Sequence, residues 1–269
     1  MKPKEGESGF EWQISVWERM SEVYAREIDR RFLPIVEAVI ARASLKVGED
    51  VLDLGTGTGS VAILAATGVG RAGRVTGVDI SPEMLLLARE RAAALGADNL
   101  EFCEGRAEAI PADDSSFDVI LASLSLMYAI DRSAAAREMA RVLRPGGRLV
   151  AAVWAAPDEC DIVAFQQKAG SFASTPPVEG VGPGSMADPG PFLEQLRQAG
   201  IEARAEREDF GFDFDDFETA WEVLAGVTAA QLTPEVRKEA KKAVRDLMWK
   251  GIKGPKPFRN ATQFIIGRV

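Results

Sequence analysis

The sequence of 269 residues predicts an α/β protein in which helices cover both faces of a mostly parallel sheet. Short apolar segments alternate with longer amphipathic segments over residues 50–155, which is typical of strands joined by helices. The first apolar segment runs directly into a glycine-rich turn, Gly55–Gly59, and then into a helix. Hydrophobic residues make up 46% and charged residues 27%, as in ordinary globular proteins.

Residues 1–45 are expected to form a helical lid. Apolar residues recur there at steps of three and four, which predicts an amphipathic helix over about 11–31. These residues are Trp12, Val16, Met20, Val23, Tyr24 and Ile28. A second helix over about 33–44 is expected to begin near Pro34, because proline is tolerated in the first turn of a helix.

Residues 46–269 are expected to form the sheet domain. Strands are predicted at 51–54, 74–79, 99–103, 117–122, 148–154, 201–210 and 261–267. Helices are predicted from residue 60 onward and at about 81–95, 131–143, 160–172, 192–200, 215–228 and 234–250. The last two helices would form an insertion at about 211–258 between the last two strands, and the Pro- and Gly-rich residues 174–190 predict a loop.

The composition excludes several classes of chemistry. The chain has no histidine, so histidine nucleophile systems, histidine metal ligands and histidine general bases are impossible. The two cysteines, Cys103 and Cys160, are too few for a zinc site of three or four cysteines and favour a reducing compartment. The formal net charge of −9 argues against general binding of nucleic acids.

The sequence also carries an expectation about location. Its first residues are polar and acidic where a signal peptide needs an apolar core, and no run of about 18 apolar residues occurs. We therefore expect a cytoplasmic protein without a membrane span. The sequence does not indicate an oligomeric state.

A glycine-rich loop and two carboxylates define the candidate ligand site. Glycines in the pattern Gly55-x-Gly57-x-Gly59 let backbone N–H groups approach a ligand closely. Asp53 stands at the carboxyl end of the first strand, where it would repel a pyrophosphate but attract a cation. Asp79 ends the second strand and can accept both hydroxyls of a ribose. Together these residues predict a ligand that combines adenosine with a positive group.

These segments resemble the class I S-adenosylmethionine-dependent methyltransferases, over about residues 45–155. The branch whose motif sequences are most similar contains the ubiquinone and menaquinone biosynthesis methyltransferases and many methyltransferases of small natural products. The matching motifs are Val51–Gly59, Gly77–Met84, Gly105–Pro111 with Ser116–Val119, and Arg141–Gly147.

The resemblance implies a Rossmann-like, three-layer fold with seven strands, of which the last is antiparallel. It also implies bound S-adenosylmethionine, converted to S-adenosylhomocysteine, with Gly55 and Gly57 against its methionine part. The implied cofactor-binding residues are Asp53, Gly55, Thr56, Gly57, Asp79, Ile80, Met84, Arg106, Ala107, Glu108 and Ser123. No metal site is expected.

Further roles follow from the same resemblance. Asp53 would hold the ammonium group directly or through water, and the carbonyl near Ser123 would accept a hydrogen bond from it. Asp79 would bind the ribose hydroxyls. Ile80 and Met84 would pack against the adenine.

One residue departs from the family's pattern. The position before Ala107 is commonly an aspartate that accepts a hydrogen bond from the adenine amino group, and here it is Arg106, which has only donors. Glu108 or Glu104 would replace that acceptor, or the backbone or water would satisfy the amino group. We expect a modest loss of cofactor affinity, about 1 kcal/mol.

The acceptor pocket is less well specified. Trp17, Tyr24 and Tyr128 are candidates for its wall, although Trp17 and Tyr24 equally fit the buried stripe of a helix. The alternating aromatics of Phe210–Phe214 indicate core packing more strongly than a substrate cage. The catalytic residues are unknown, and with no histidine any general base would be a carboxylate, a tyrosine or water.

Three functions are therefore considered. Methyl transfer to a small organic acceptor, on oxygen, carbon or nitrogen, is the favoured interpretation. The alternatives are a cyclisation or rearrangement that uses bound cofactor without methyl transfer, and methylation of RNA or protein. A basic stretch at 237–259 could attract an anionic partner, but it fits better as a solvated face that balances the acidic stretch at 202–222.

Overall fold

The computed structural model describes residues 9–174 and 178–269. Residues 1–8 of the predicted lid and residues 175–177 of the predicted loop lie outside the described residues. Its strands are β1 (Asp50–Leu54), β2 (Arg74–Asp79), β3 (Leu100–Glu104), β4 (Phe117–Ser123), β5 (Leu143–Trp154), β6 (Glu202–Phe214) and β7 (Lys256–Arg268).

All seven strands form one sheet, in the order β3-β2-β1-β4-β5-β7-β6. The pairs from β3 to β5 are parallel, and β7 is antiparallel to both of its neighbours. The predicted fold, with an antiparallel last strand, is confirmed. The chain passes from β1 to β2 and β3 on one side and then crosses to β4 on the other, so a crevice is expected at the carboxyl ends of β1 and β4.

Helices flank the sheet close to the predicted positions. They are α1 (Gly9–Val23), α2 (Asp29–Ala43), α3 (Ser60–Val69), α4 (Pro82–Leu95), α5 (Arg132–Val142), α6 (Asp161–Gly170), α7 (Gly190–Gln198), α8 (Phe217–Ala230) and α9 (Pro234–Met248). The predicted cap of α4 is present, with Ser81 Oγ accepting a hydrogen bond from Met84 N at 3.3 Å. Among the described residues, no helix combines the length and the apolar character that crossing a membrane requires.

The amino-terminal helices differ from the prediction at their junction. A single helical run extends through α1 and α2, interrupted by a π-helical turn at Tyr24–Ile28, while Pro34 lies inside α2. The predicted start of the second helix near Pro34 is therefore wrong. Burial of Phe32, Ile35 and Val39 holds this segment helical although Pro34 lacks one N–H donor.

The core follows from the central position of β1, β4 and β5. Leu52, Ile120 and Val150 are fully or almost fully buried, because helices cover both faces of these strands. On one face α2 packs against β4 and β5, and its residue Val39 is completely buried. This packing fixes the carboxyl ends of the central strands relative to α2.

The last two strands are longer than predicted. Strand β6 extends to Phe214 and β7 begins at Lys256, so both reach into the predicted insertion and leave only α8 and α9 between them. The rings of Phe214 and Phe258 pack 5.0 Å apart and are completely buried, which explains the aromatic alternation as core packing. Along the insertion, Lys241 and Arg245 of α9 form ion pairs with Glu218 of α8.

Candidate active site

The glycine-rich loop after β1 is held tightly against β2. Gly55 and Thr56 donate backbone hydrogen bonds to Val78 O at 2.8 and 2.9 Å. Gly55 and Gly57 have φ angles of 74° and 54°, in the left-handed region that favours glycine. A Cβ atom at Gly55 would lie 2.3 Å from Ser125 Cβ, whereas one at Gly57 would meet no atom within 4 Å. The loop therefore leaves open space beside Gly57.

A small cavity of about 110 Å³ lies at the carboxyl ends of the strands, where the chain order reverses. The loops after β1, β2, β3 and β4 each contribute to its wall, and α1 covers it. Its lining residues from the sheet side are Leu54, Gly55, Gly57, Asp79, Ile80, Met84, Gly105, Arg106, Ala107, Glu108, Ser123, Leu124, Ser125, Leu126, Tyr128 and Ala129. Its lining residues from the helical run are Phe10, Gln13, Trp17 and Tyr24.

Most of the predicted site residues thus lie around one cavity, including all three candidates for the acceptor wall. Asp53 and Thr56 are the exceptions, because they are not among the lining residues and contact each other. Thr56 Oγ1 donates to Asp53 Oδ2 at 2.7 Å. Asp53 is 1% exposed, and its Oδ1 has no hydrogen bond of good geometry. The roles predicted for these two residues stay predictions.

Two buried carboxylates give the site a negative character. Burial raises the pKa of Asp53 to about 7, although the Thr56 hydroxyl and the nearby Ala62 N–H partly offset this effect. Burial also raises the pKa of Asp79, which accepts hydrogen bonds from Gly57 N at 2.8 Å and Ser81 N at 2.9 Å. In the described part of the chain, neither carboxylate forms an ion pair. A positively charged ligand fits such a pair.

Arg106, the residue that departs from the family's pattern, contacts the amino-terminal helix. The Arg106 guanidinium lies over the Phe10 ring, 4.2 Å from its centroid, and so joins this loop to α1. Glu108 lines the cavity, but its Oε1 already accepts hydrogen bonds from the backbone N–H groups of Ile130 and Asp131 at 2.6 and 3.2 Å. Glu104 does not line the cavity.

A second and larger cavity of about 540 Å³ adjoins the first. Four residues line both cavities, namely Trp17, Tyr24, Leu124 and Tyr128. The rest of its wall comes from α1, α2, α6, α8, Trp154 and the segment 181–185. Its volume is within the range of small-molecule sites, about 300–1,000 Å³.

Three aromatic side chains form the wall between the cavities. The Trp17 ring meets the Tyr128 ring edge to face at 4.8 Å and the Tyr24 ring at 6.3 Å. Burial raises the pKa of both tyrosines well above the ordinary range. Both phenols are therefore neutral near pH 7.

Two residues of α1 were missed by the sequence analysis. Gln13 Nε2 donates to Tyr128 O at 2.8 Å, and Phe10 holds Arg106. Gln13 sits among the apolar positions of an amphipathic helix yet is almost fully buried. Its position among the apolar residues was the available signal in the sequence, because an amide buried there needs a hydrogen-bond partner.

Asp29 anchors the helical run to the glycine-rich loop. Its carboxylate accepts hydrogen bonds from Thr58 Oγ1 at 2.7 Å and Ser60 Oγ at 2.9 Å, and it forms an ion pair with Arg91 at 2.7 Å. The start of α2 is therefore fixed to the same turn that lines the small cavity.

Comparison with known proteins agrees with this geometry. Residues 45–171 match the family described as "Methyltransferase domain". The ubiquinone/menaquinone biosynthesis C-methyltransferase UbiE of Hahella chejuensis is 37% identical over 138 residues, which cover 51% of this chain and 55% of that protein. Residues 45–171 therefore form a methyltransferase domain of the class I S-adenosylmethionine-dependent type. The matched region spans only about half the length of the curated methyltransferase relatives.

Two solved structures extend the comparison of the methyltransferase fold. The YcgJ protein of Bacillus subtilis superposes with a TM-score of 0.63 at 21% identity, covering 87% of this chain and 97% of that one. The [4+2]-cyclase SpnF superposes with a TM-score of 0.57 at 25% identity, covering 88% of this chain and 80% of that one. The first similarity concerns the fold alone.

Proposed function

We propose that this methyltransferase transfers a methyl group from S-adenosylmethionine to a small organic acceptor and leaves S-adenosylhomocysteine. The observation that carries the proposal is the pairing of two adjoining cavities. One is lined by a glycine-rich turn and the buried carboxylate of Asp79, with the buried Asp53 nearby in β1, and the other is larger and mostly apolar. Such a pair suits a cationic cofactor next to a separate acceptor.

The residues of the small cavity fit the cofactor's parts. Gly55 and Gly57 would lie against its methionine portion, and Asp79 would accept hydrogen bonds from the ribose hydroxyls. Asp53 would act on the ammonium group through water, because its side chain lies behind the cavity wall. The backbone at Ser123 would accept a hydrogen bond from the same ammonium.

The adenine would lie on the opposite side of the small cavity. Ile80 and Met84 follow β2 and offer apolar contact, and the backbone N–H of Ala107 would donate to a ring nitrogen. Arg106 would lie beside the ring as part of the link to α1 rather than as an acceptor. Water or backbone would then satisfy the adenine amino group.

When bound, the cofactor would supply a methyl group on a positively charged sulfur, so that an acceptor nucleophile could bond to the methyl carbon while the neutral thioether leaves without further activation. The chain's contribution is to align the acceptor and to exclude water. Trp17, Leu124 and Tyr128 lie at the junction of the cavities and would perform both tasks. The helical run of residues 9–43 would act as the lid.

Replacement of Asp79 tests the proposed cofactor site. Asp79→Asn removes the charge and one strong acceptor while keeping the side chain's shape, and we expect the affinity for S-adenosylmethionine to fall more than tenfold in calorimetry. Asp50→Asn is the matched control, because Asp50 begins β1 at the opposite end of the sheet and pairs with Arg144. Equal affinity of Asp79→Asn and wild type would contradict the proposal.

A second function is favoured by the similarity to the [4+2]-cyclase SpnF. In this second function, the bound cofactor would have a structural role, and the larger cavity would hold a substrate in the conformation that cyclises. The two functions differ in the cofactor's fate. Formation of S-adenosylhomocysteine in proportion to product supports methyl transfer, whereas product without it supports cyclisation.

A further inference from the structure

The two tyrosines of the chain stand together at the junction of the cavities. The sequence contains only two tyrosines, Tyr24 and Tyr128, and each lines both cavities. Both rings pack edge to face against Trp17, with centroids 6.3 and 4.8 Å from its ring. No hydrogen bond joins either phenol hydroxyl to another of the described residues, although both side chains are largely covered. A covered hydroxyl beside a cavity is suited to bind a polar atom of a ligand.

Among its described lining residues, the larger cavity offers no side chain that could remove a proton from an acceptor near pH 7. Its described lining contains neither carboxylate nor cationic side chains. The polar side chains there are Gln166, Gln167, Ser174, Ser185, Thr228 and Gln231. Aromatic and aliphatic residues such as Trp12, Phe32 and Trp154 make up much of the remainder. The wall of this cavity therefore suits a largely apolar molecule.

We propose, on the basis of the proposed methyl transfer, that the Tyr24 and Tyr128 hydroxyls jointly bind an oxyanion of the acceptor. The acceptor is accordingly an apolar phenol or enol that reacts as the anion it forms by its own acidity. The tyrosines are positioning residues that donate hydrogen bonds to the charged oxygen. They do not remove its proton.

The electrostatics of the junction agree with this role. Burial raises the pKa of Tyr24 most strongly, and the charges of Asp29 on α2, Asp79 at the end of β2 and Asp53 at the end of β1 raise it further, as does Tyr128. Burial alone raises the pKa of Tyr128. Both hydroxyls thus keep their protons over the physiological range and serve as donors.

The same carboxylates make the site dependent on the cofactor's charge. An acceptor anion at Tyr24 would be repelled by Asp29, Asp53 and Asp79 unless a cation occupied the small cavity. Transfer to the anion forms one bond from the methyl carbon to the acceptor oxygen or its conjugate carbon. The C–S bond breaks with its electron pair left on sulfur, and attack through carbon releases that carbon's proton to water. No side chain needs to act as a base.

A fluorescent phenol tests the proposal without turnover. The protein is saturated with sinefungin, an unreactive cofactor analogue that carries an amine at the sulfonium position, and titrated with 7-hydroxycoumarin. Its excitation spectrum reports the ionisation of the phenol. We expect the pKa of the bound probe to lie about one unit below that of the free probe. This pKa difference should be smaller in the absence of sinefungin. Its methyl ether, 7-methoxycoumarin, is expected to bind more weakly than the phenolate.

Three variants separate an oxyanion site from general packing. Tyr24→Phe and Tyr128→Phe should each remove at least half of the pKa shift, and each should weaken binding of the phenolate more than it weakens binding of 7-methoxycoumarin or sinefungin. Thr228→Val removes a hydroxyl from the cavity wall away from the junction and should keep the full shift. Thermal unfolding confirms that each variant is folded.

Three results would overturn the proposed oxyanion site. An absent shift, a shift that survives both Phe variants, or no binding of either coumarin overturns the oxyanion site. If wild type also fails to bind sinefungin, the proposed methyl transfer is overturned together with it. If sinefungin binds and only the coumarin results fail, the proposed function stands and this inference alone is wrong.

Discussion

A methyl group added at Gly57 should separate ligand binding from folding. Gly57 has a φ of 54° and lines the small cavity, and a Cβ atom there would meet no protein atom within 4 Å. In Gly57→Ala the new methyl group would therefore enter space that we assign to the cofactor. Gly96 provides a matched control, because its φ is 64°, its Cβ would also meet nothing, and it ends α4 away from the cavity.

The expected cost to stability is similar at both positions. Alanine in the left-handed region costs about 1–2 kcal/mol, since its Cβ approaches the backbone carbonyl oxygen. For a protein of this size that loss lowers the melting temperature by about 2–8 °C. Neither variant creates a steric clash with protein atoms, so we expect no larger effect on folding.

Of the two variants, only Gly57→Ala should reduce the affinity for the ligand. Gly57→Ala is expected to weaken S-adenosylhomocysteine binding more than tenfold, which is at least about 1.4 kcal/mol, while Gly96→Ala stays within twofold of wild type. Calorimetry measures the affinities and thermal unfolding measures the stabilities. If Gly57→Ala binds as tightly as Gly96→Ala, the space beside Gly57 is not the cofactor site and our interpretation of the small cavity is refuted.

Two further predictions concern neighbouring features. The pKa of Asp53 is raised to about 7, so this carboxylate loses its proton as the pH rises through that value. The affinity for S-adenosylhomocysteine should therefore increase about tenfold between pH 6 and pH 8 in calorimetry. A pH-independent affinity in wild type would contradict the predicted role of Asp53. The Asp53→Asn variant should lack this dependence. Arg132 donates to Met127 O, Gly180 O and Ser185 Oγ, so Arg132→Met should increase proteolytic cleavage within residues 178–187 without changing cofactor affinity. Unchanged cleavage would mean that these contacts do not hold the segment.

The regular part of the fold was predictable because it depends on local pattern. The short apolar strands, the glycine-rich turn and the Ser81 cap depend on neighbouring residues, and the antiparallel last strand followed from the family resemblance. The cavity residues next to β1 and β2 were predictable for the same reason, since parallel strands bring their carboxyl ends together. The cytoplasmic location and the division into lid and sheet domain stay predictions.

Contacts between distant segments were not predictable from the sequence. Gln13 bonds to the backbone of Tyr128, and Arg106 packs on Phe10, although each pair is far apart in the chain. The hydrogen bond from Thr56 to Asp53 depends on the side-chain rotamer of Asp53 rather than on a sequence pattern. The carboxyl end of β6 was predicted too early because the aromatic alternation of Phe210–Phe214 runs directly into the pattern of a helix.

The π-helical turn at Tyr24–Ile28 determines which side of α1 faces the cavities. Each residue in an α-helix turns the chain by about 100°, and a π-helical turn holds one residue more than an α-helical one. Loss of that residue, with α2 still fixed by Asp29, would rotate all of α1 by about 100° about its axis. Gln13 and Trp17 would then face away from both cavities, so a one-residue deletion here would disable the site without altering any residue in its wall.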